Sequence, residues 1–136
     1  MKKEVALAFP LALLCALAVA LAAQPDSFVM YFGAPPGTET FRQYCSYFDL
    51  LPIGYANYAP MITGLTSAAL MCLCFLIWIR ENSKLYVAVR NVGIVALVSS
   101  LMPLLLGNLT TVSWIITGIL LVVTLAAFFM CIKTKN

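Results

Sequence analysis

Four apolar runs, Val5–Ala23, Ala59–Ile79, Leu85–Leu106 and Val112–Ile132, take up most of this chain, and the only charge inside any of them is Arg90. Each run holds about 19 to 22 residues, which at about 1.5 Å rise per residue is enough to cross the roughly 30 Å hydrocarbon core of a bilayer. Inside that core each backbone N–H and C=O must find its partner within the protein, and a helix does this within one segment. The runs therefore predict an all-α membrane protein: a four-transmembrane-helix bundle, with residues 1–136 forming a single integral membrane domain. Composition agrees, since 63% of the residues are hydrophobic and 10% are charged. A water-soluble domain carries charge on about a quarter of its residues.

The placement of charge orients the bundle. Lys2, Lys3, Arg80, Lys84, Arg90, Lys133 and Lys135 flank one side of a four-span chain, and Arg42 alone lies on the other. Basic residues concentrate on the cytoplasmic side of membrane proteins. Both termini and the short Arg80–Lys84 turn are thus expected in the cytoplasm, with the protein in the cell membrane. The outer segment 24–58 then faces outward. The same spacing explains the basic residues as topology determinants, so no nucleic-acid partner is expected.

The outer segment is the most distinctive region. Gln24-Pro25-Asp26 ends the first helix, because proline cannot continue it. Phe28–Phe32 is a short aromatic run with β propensity, and Gly33–Gly37 reads as a turn. Beyond Thr38, a candidate cap with Glu39 at the positive end of the following helix, Phe41, Tyr44, Cys45, Phe48 and Leu51 recur at helical spacing. That pattern predicts an outer loop containing a short amphipathic helix over Glu39–Leu51, lying at the membrane surface or across the tops of the spans. Five of the six tyrosines fall in this segment. They suit the headgroup level, where a ring is buried and its hydroxyl stays wet. Beyond such a belt, Tyr44, Tyr47, Phe48, Tyr55 and Tyr58 form a candidate surface for a protein partner or membrane lipid.

Several features lie in the spans. The first run also has the layout of a secretory signal peptide, with Lys2-Lys3 before it and Ala20-Leu21-Ala22 at its end, but it exceeds the usual 7–15 apolar residues; a retained span is expected. Gly64 and Ala68 in the second span have the four-residue spacing of small side chains that lets helices approach closely, and predict a helix–helix contact. Pro103 should bend the third span. Arg90 lies near enough to one end to reach the interface with its own stem, with an inward-facing role as the competing reading. Cys15, Cys72, Cys74 and Cys131 fall in spans and read as small apolar side chains. Cys45 is the one external cysteine. Asn108-Leu109-Thr110 matches a glycosylation motif in a very short loop hard against the bilayer, which gives it little weight.

Chemistry is hard to build from these residues. There is no histidine, and Glu4, Asp26, Glu39, Asp49 and Glu81 are scattered. Nucleophilic and acid–base catalysis need a positioned nucleophile and base. A zinc site needs Cys or His clustered at ligand spacing. No cofactor and no metal are therefore expected. No span contains Asp or Glu, which argues against proton-coupled export. The layout is similar to claudin-like four-span topology, but the outer segment has no tryptophan and one cysteine, so no residues carry over. With its Lys2-Lys3 start, lack of histidine and the Tyr47–Tyr58 stretch, the chain resembles small uncharacterised four-span integral membrane proteins of Gram-positive bacteria, a resemblance that brings no activity. The expected function is that of a non-enzymatic accessory or scaffold subunit whose outer aromatic segment meets a partner or lipid. The alternative is a small transporter or channel subunit that forms a path only as a homo-oligomer or with a membrane protein partner.

Overall fold

The computed structural model describes residues 3–32, 41–49, 58–105 and 110–133. Four long helices run as α1 (Lys3–Ala22), α2 (Tyr58–Ile79), α3 (Ser83–Leu105) and α4 (Thr111–Lys133), and two strands, β1 (Phe28–Phe32) and β2 (Phe41–Cys45), lie between α1 and α2. All four helices are long and apolar enough to cross a membrane. Their ends fall within two residues of the apolar runs in the sequence.

The helices form a ring in which α1 packs on α2 and α4, and α3 packs on the same two. Neighbours run antiparallel. The contacts of Phe9 with Trp78, Thr63 with Ser99, Gly93 with Thr124 and Ala22 with Ser46 fix the pairings and the end that carries the strands.

Residues sort across this ring in a manner suited to lipid. Outside stand large apolar side chains such as Leu13, Leu17, Leu65, Val98, Leu125 and Phe129, the last 70% exposed. Inside are many small or hydroxylated ones: Ala8, Ala18, Thr63, Ser67, Ala96, Ser99, Thr117 and Thr124. In water this arrangement would leave a very large apolar surface uncovered. In a bilayer there is no hydrophobic gain from joining two helices, and small side chains that permit close van der Waals fit supply the attraction. At Gly93 an added Cβ would lie 3.0 Å from Thr124 Oγ1, so α3 and α4 approach closely there.

The buried hydroxyls are satisfied mostly within their own helix. Ser67 donates to the Thr63 carbonyl at 2.7 Å, Thr117 to Ser113 at 2.9 Å and Thr124 to Leu120 at 2.7 Å. Bonding back one turn keeps a hydroxyl satisfied where water is absent. A side-chain pair also crosses between helices, Thr63 with Ser99 at 2.9 Å. Each also reaches a backbone carbonyl, Ala59 at 2.9 Å and Ala96 at 3.0 Å. Two protons serve three contacts, so one hydroxyl bonds the other while its partner bonds the backbone.

The outer segment departs from the amphipathic helix expected over Glu39–Leu51. Residues 41–45 are extended and pair antiparallel with β1, with Phe28 opposite Cys45 and Met30 opposite Gln43. Helical spacing of the aromatics was a real pattern, but an isolated helix of this length is marginal. Phe41, Tyr44 and Cys45 suit a strand equally well, and β1 offers them a ladder of hydrogen bonds.

Candidate functional site: a hairpin cap tied to two helix ends

The cap is built on the last turn of α1. After Ala22 the chain turns through a hydrogen bond from the Ser27 N–H to the Gln24 carbonyl at 3.2 Å. The Ala22 carbonyl, left without a partner by the end of the helix, becomes the anchor for the cap. It accepts the Tyr47 N–H at 3.0 Å, the Ser46 hydroxyl at 3.1 Å and the Ser27 hydroxyl at 3.2 Å. Residues 46–49 form the turn that delivers these donors. In it, the Ser46 N–H donates to Asp49 Oδ2 at 2.7 Å and the Phe48 N–H to the Ser46 hydroxyl at 3.1 Å.

A second tie joins the cap to α4. The Ser27 carbonyl accepts the Thr110 hydroxyl at 2.6 Å and the Ser113 hydroxyl at 2.9 Å. Thr110 also caps α4, since its Oγ1 accepts the Ser113 N–H at 3.2 Å. Chain segments more than eighty residues apart thus share one buried polar cluster.

Apolar contacts complete the seal. Phe28 and Tyr47 meet edge to face with ring centroids 6.1 Å apart, and both are buried. The Phe48 ring lies over Gly64 of α2, where an added Cβ would come within 2.9 Å of it. The atoms nearest to this glycine's missing Cβ thus belong to the cap ring Phe48. Ala68, one turn on, is half-buried.

The candidate surface residues divide accordingly. Tyr44 and Tyr58 are exposed, at 60% and 61%. Tyr47 is fully buried and Phe48 half-buried, so these two hold the cap down. Tyr55 lies outside the described residues. Among the described side chains of the hairpin, Arg42, Gln43 and Tyr44 on β2 are exposed, while Phe28, Val29 and Met30 of β1 are buried. No sequence signal marked Ser27, Ser46, Thr110 or Ser113 as members of one cluster.

Burial sets the proton affinity of two cap groups. It pushes the Tyr47 hydroxyl above the ordinary tyrosine value, an effect the Ser113 hydroxyl opposes in part. Ser113 bonds the Ser27 carbonyl, and the Tyr47 hydroxyl is left without an aligned hydrogen bond. Cys45, also buried, is raised by desolvation and then by the nearby Asp49 carboxylate.

Elsewhere, the Arg90 guanidinium lies over the Phe128 ring at 5.8 Å and donates to Asn91 Oδ1 at 3.0 and 3.2 Å. Among the described residues no group of three His, Cys, Asp or Glu side chains is placed to hold a metal. Comparison with protein-family models, with curated proteins and with solved structures finds no match.

Proposed function

We propose that this is a non-enzymatic multi-pass protein of the cell membrane, an accessory or scaffold subunit that meets a partner through its outer cap. The observation that carries this reading is the contrast within the hairpin. Phe28, Val29 and Met30 of one strand are buried behind Ser27, which is tied to two helix ends, while Arg42, Gln43 and Tyr44 stay exposed on the other strand. An edge strand presents unpaired backbone groups along with alternate side chains, a form in which another chain can add by strand pairing. Tyr44 brings a large amphipathic contact at low entropic cost, and such residues are enriched at interfaces. In the proposed orientation both termini and the Arg80–Lys84 turn are cytoplasmic, on the strength of the basic asymmetry.

Two measurements test this. A photo-crosslinking amino acid at position 44 should capture one protein species in cells, and the same group at lipid-facing Leu121 should not. Identical products at both positions would overturn the partner reading. A reporter fused after Lys135 should be active only on the cytoplasmic side; activity outside would overturn the orientation.

A further inference from the structure

At the end of the bundle opposite the cap, α1 and α2 leave a lateral groove of about 440 Å³ lined by Ala12, Leu13, Ala16, Met71, Cys72, Phe75, Leu76 and Ile79. Small-molecule sites run from about 300 to 1,000 Å³, so the space suffices for a ligand of modest size. Its cause is visible in the sequence. Ala12 and Ala16 lie one turn apart on α1 and Cys72 stands on α2, so three short side chains sit between taller walls. No polar group that fixes orientation, such as an amide or a charge, lines it, and what enters along this length has to be apolar.

The two ends of the groove differ. Toward the middle of the bundle it runs out near Met71. Toward the helix ends stand Phe9, Phe75 and Trp78, with Trp78 centred 5.3 Å from Phe9 and 5.5 Å from Phe75. Immediately beyond Ile79 come Arg80 and Lys84, both exposed, with Glu81 between them. This side of the chain carries seven basic residues, Lys2, Lys3, Arg80, Lys84, Arg90, Lys133 and Lys135, against Glu4 and Glu81, a net +5. Tryptophan marks the headgroup level, and a basic cluster just past it attracts anionic lipid.

We infer that this groove seats an acyl chain of an anionic phospholipid whose headgroup is held by Arg80 and Lys84. The inference is independent of the cap, which lies at the other end. A transmembrane helix from a second copy is the competing occupant. It would need a flat strip along the whole span, but the groove covers only the stretch from Met71 to Ile79, about 12 Å of α2, and Leu13 and Leu17 project from α1 beside it, both exposed. An acyl chain is narrower, and its upper part can lie in that length while the rest of the chain continues into the bilayer.

Trp78 supplies the readout once Trp114, exposed near the far end of α4, is replaced by phenylalanine. The full chain is reconstituted in phosphatidylcholine bilayers containing a small fraction of either brominated phosphatidylglycerol or brominated phosphatidylcholine with the same chains. The anionic lipid should quench Trp78 more strongly per mole, by up to about fivefold for each basic residue engaged. Arg80→Gln with Lys84→Gln should bring the ratio to one. Filling the groove with Ala16→Leu and Cys72→Leu should also abolish the preference while leaving the basic residues in place. Equal quenching by both lipids in the parent protein overturns the proposal. So does a preference that survives the filled groove, which would make it a surface-charge effect. Shielding of Trp78 from both lipids overturns it in favour of a second copy. Should the filled variant fail to fold by circular dichroism, the exposed-residue variants decide alone: a preference that persists in them overturns the assignment.

Discussion

The two ends of this molecule are held together by different physics. At the cap, side chains bond to backbone carbonyls across long stretches of sequence: Ser46 to Ala22, and Thr110 and Ser113 to Ser27. In the body of the bundle most hydroxyls turn back on their own helix, and fit between small residues joins the helices. The difference follows from where backbone groups are left over. Within a helix every carbonyl has an N–H four residues on, so a hydroxyl adds little. At a helix end the carbonyls are unpaired, and each one buried under a cap must be satisfied by something distant. Directional bonds therefore concentrate where helices stop.

The largest effect should come from the point where the two regimes touch, Gly64 beneath Phe48. Gly64→Leu should eject the Phe48 ring and cost about 1–3 kcal/mol, in the range of overpacked cores. Melting in detergent reads the total. Trypsin cleavage after exposed Arg42 reads the cap alone, since a paired strand must open locally before it is cut. If the cost runs through Phe48, it should shrink sharply in a Phe48→Ala background, the mark of coupled sites. Full additivity of the two changes would show that Gly64 acts on another neighbour. Thr110→Ala comes next. It removes both the cap of α4 and one of two bonds to the Ser27 carbonyl, about 1–2 kcal/mol. Faster cleavage after Arg42 with little change in global melting is the expected pattern; unchanged cleavage would mean that the polar cluster does not hold the cap.

Legibility in the sequence divides along the same line. The spans could be read because helix formation in lipid depends on local hydrophobic length, and Val5–Ala23 or Val112–Ile132 declare it without reference to the rest of the chain. Phe28–Phe32 was also legible as a β-prone run. The strand at 41–45 was not, because Phe41, Tyr44 and Cys45 fit helical spacing and strand propensity alike, and the choice was made by the partner strand β1. Tyr47 shows the limit most clearly. Its type and position are those of an interfacial tyrosine, yet the Tyr47 N–H meets the Ala22 carbonyl and its ring meets Phe28, contacts that no window of neighbouring residues contains. Gly64 was legible as a close-approach site, but the sequence alone does not say what approaches.

In the body of the bundle the effect should be smaller. Thr63→Val with Ser99→Ala removes the side-chain hydrogen bond that joins α2 to α3. Each hydroxyl already has a backbone carbonyl in reach, so the coupling should be about 0.6 kcal/mol, the average for such bonds in membrane helices. Cleavage after Arg42 should not change. A coupling above about 2 kcal/mol would erase the distinction between cap and body.

Tyr47→Phe should have the smallest effect at neutral pH, and a stabilising one that grows as pH rises. The hydroxyl is buried without an aligned hydrogen bond, so deleting it removes a desolvation cost and little else, and stability should be unchanged or slightly higher near pH 7. At high pH the comparison changes. Burial raises the affinity of Tyr47 for its proton in the folded state, so the folded protein stays neutral at a pH where the unfolded chain ionises. Proton release then favours unfolding, and the stability present below the ordinary tyrosine value of about 10 is lost as pH climbs toward the raised one. Cys45 acts with the same sign from about pH 8.5 upward. Cleavage after Arg42, corrected for trypsin's own pH dependence with an unstructured substrate, should therefore accelerate in two stages. Tyr47→Phe should delete the upper stage and leave the lower one, and Cys45→Ala should do the reverse. If the upper stage persists in Tyr47→Phe, the hydroxyl is not sequestered under the cap.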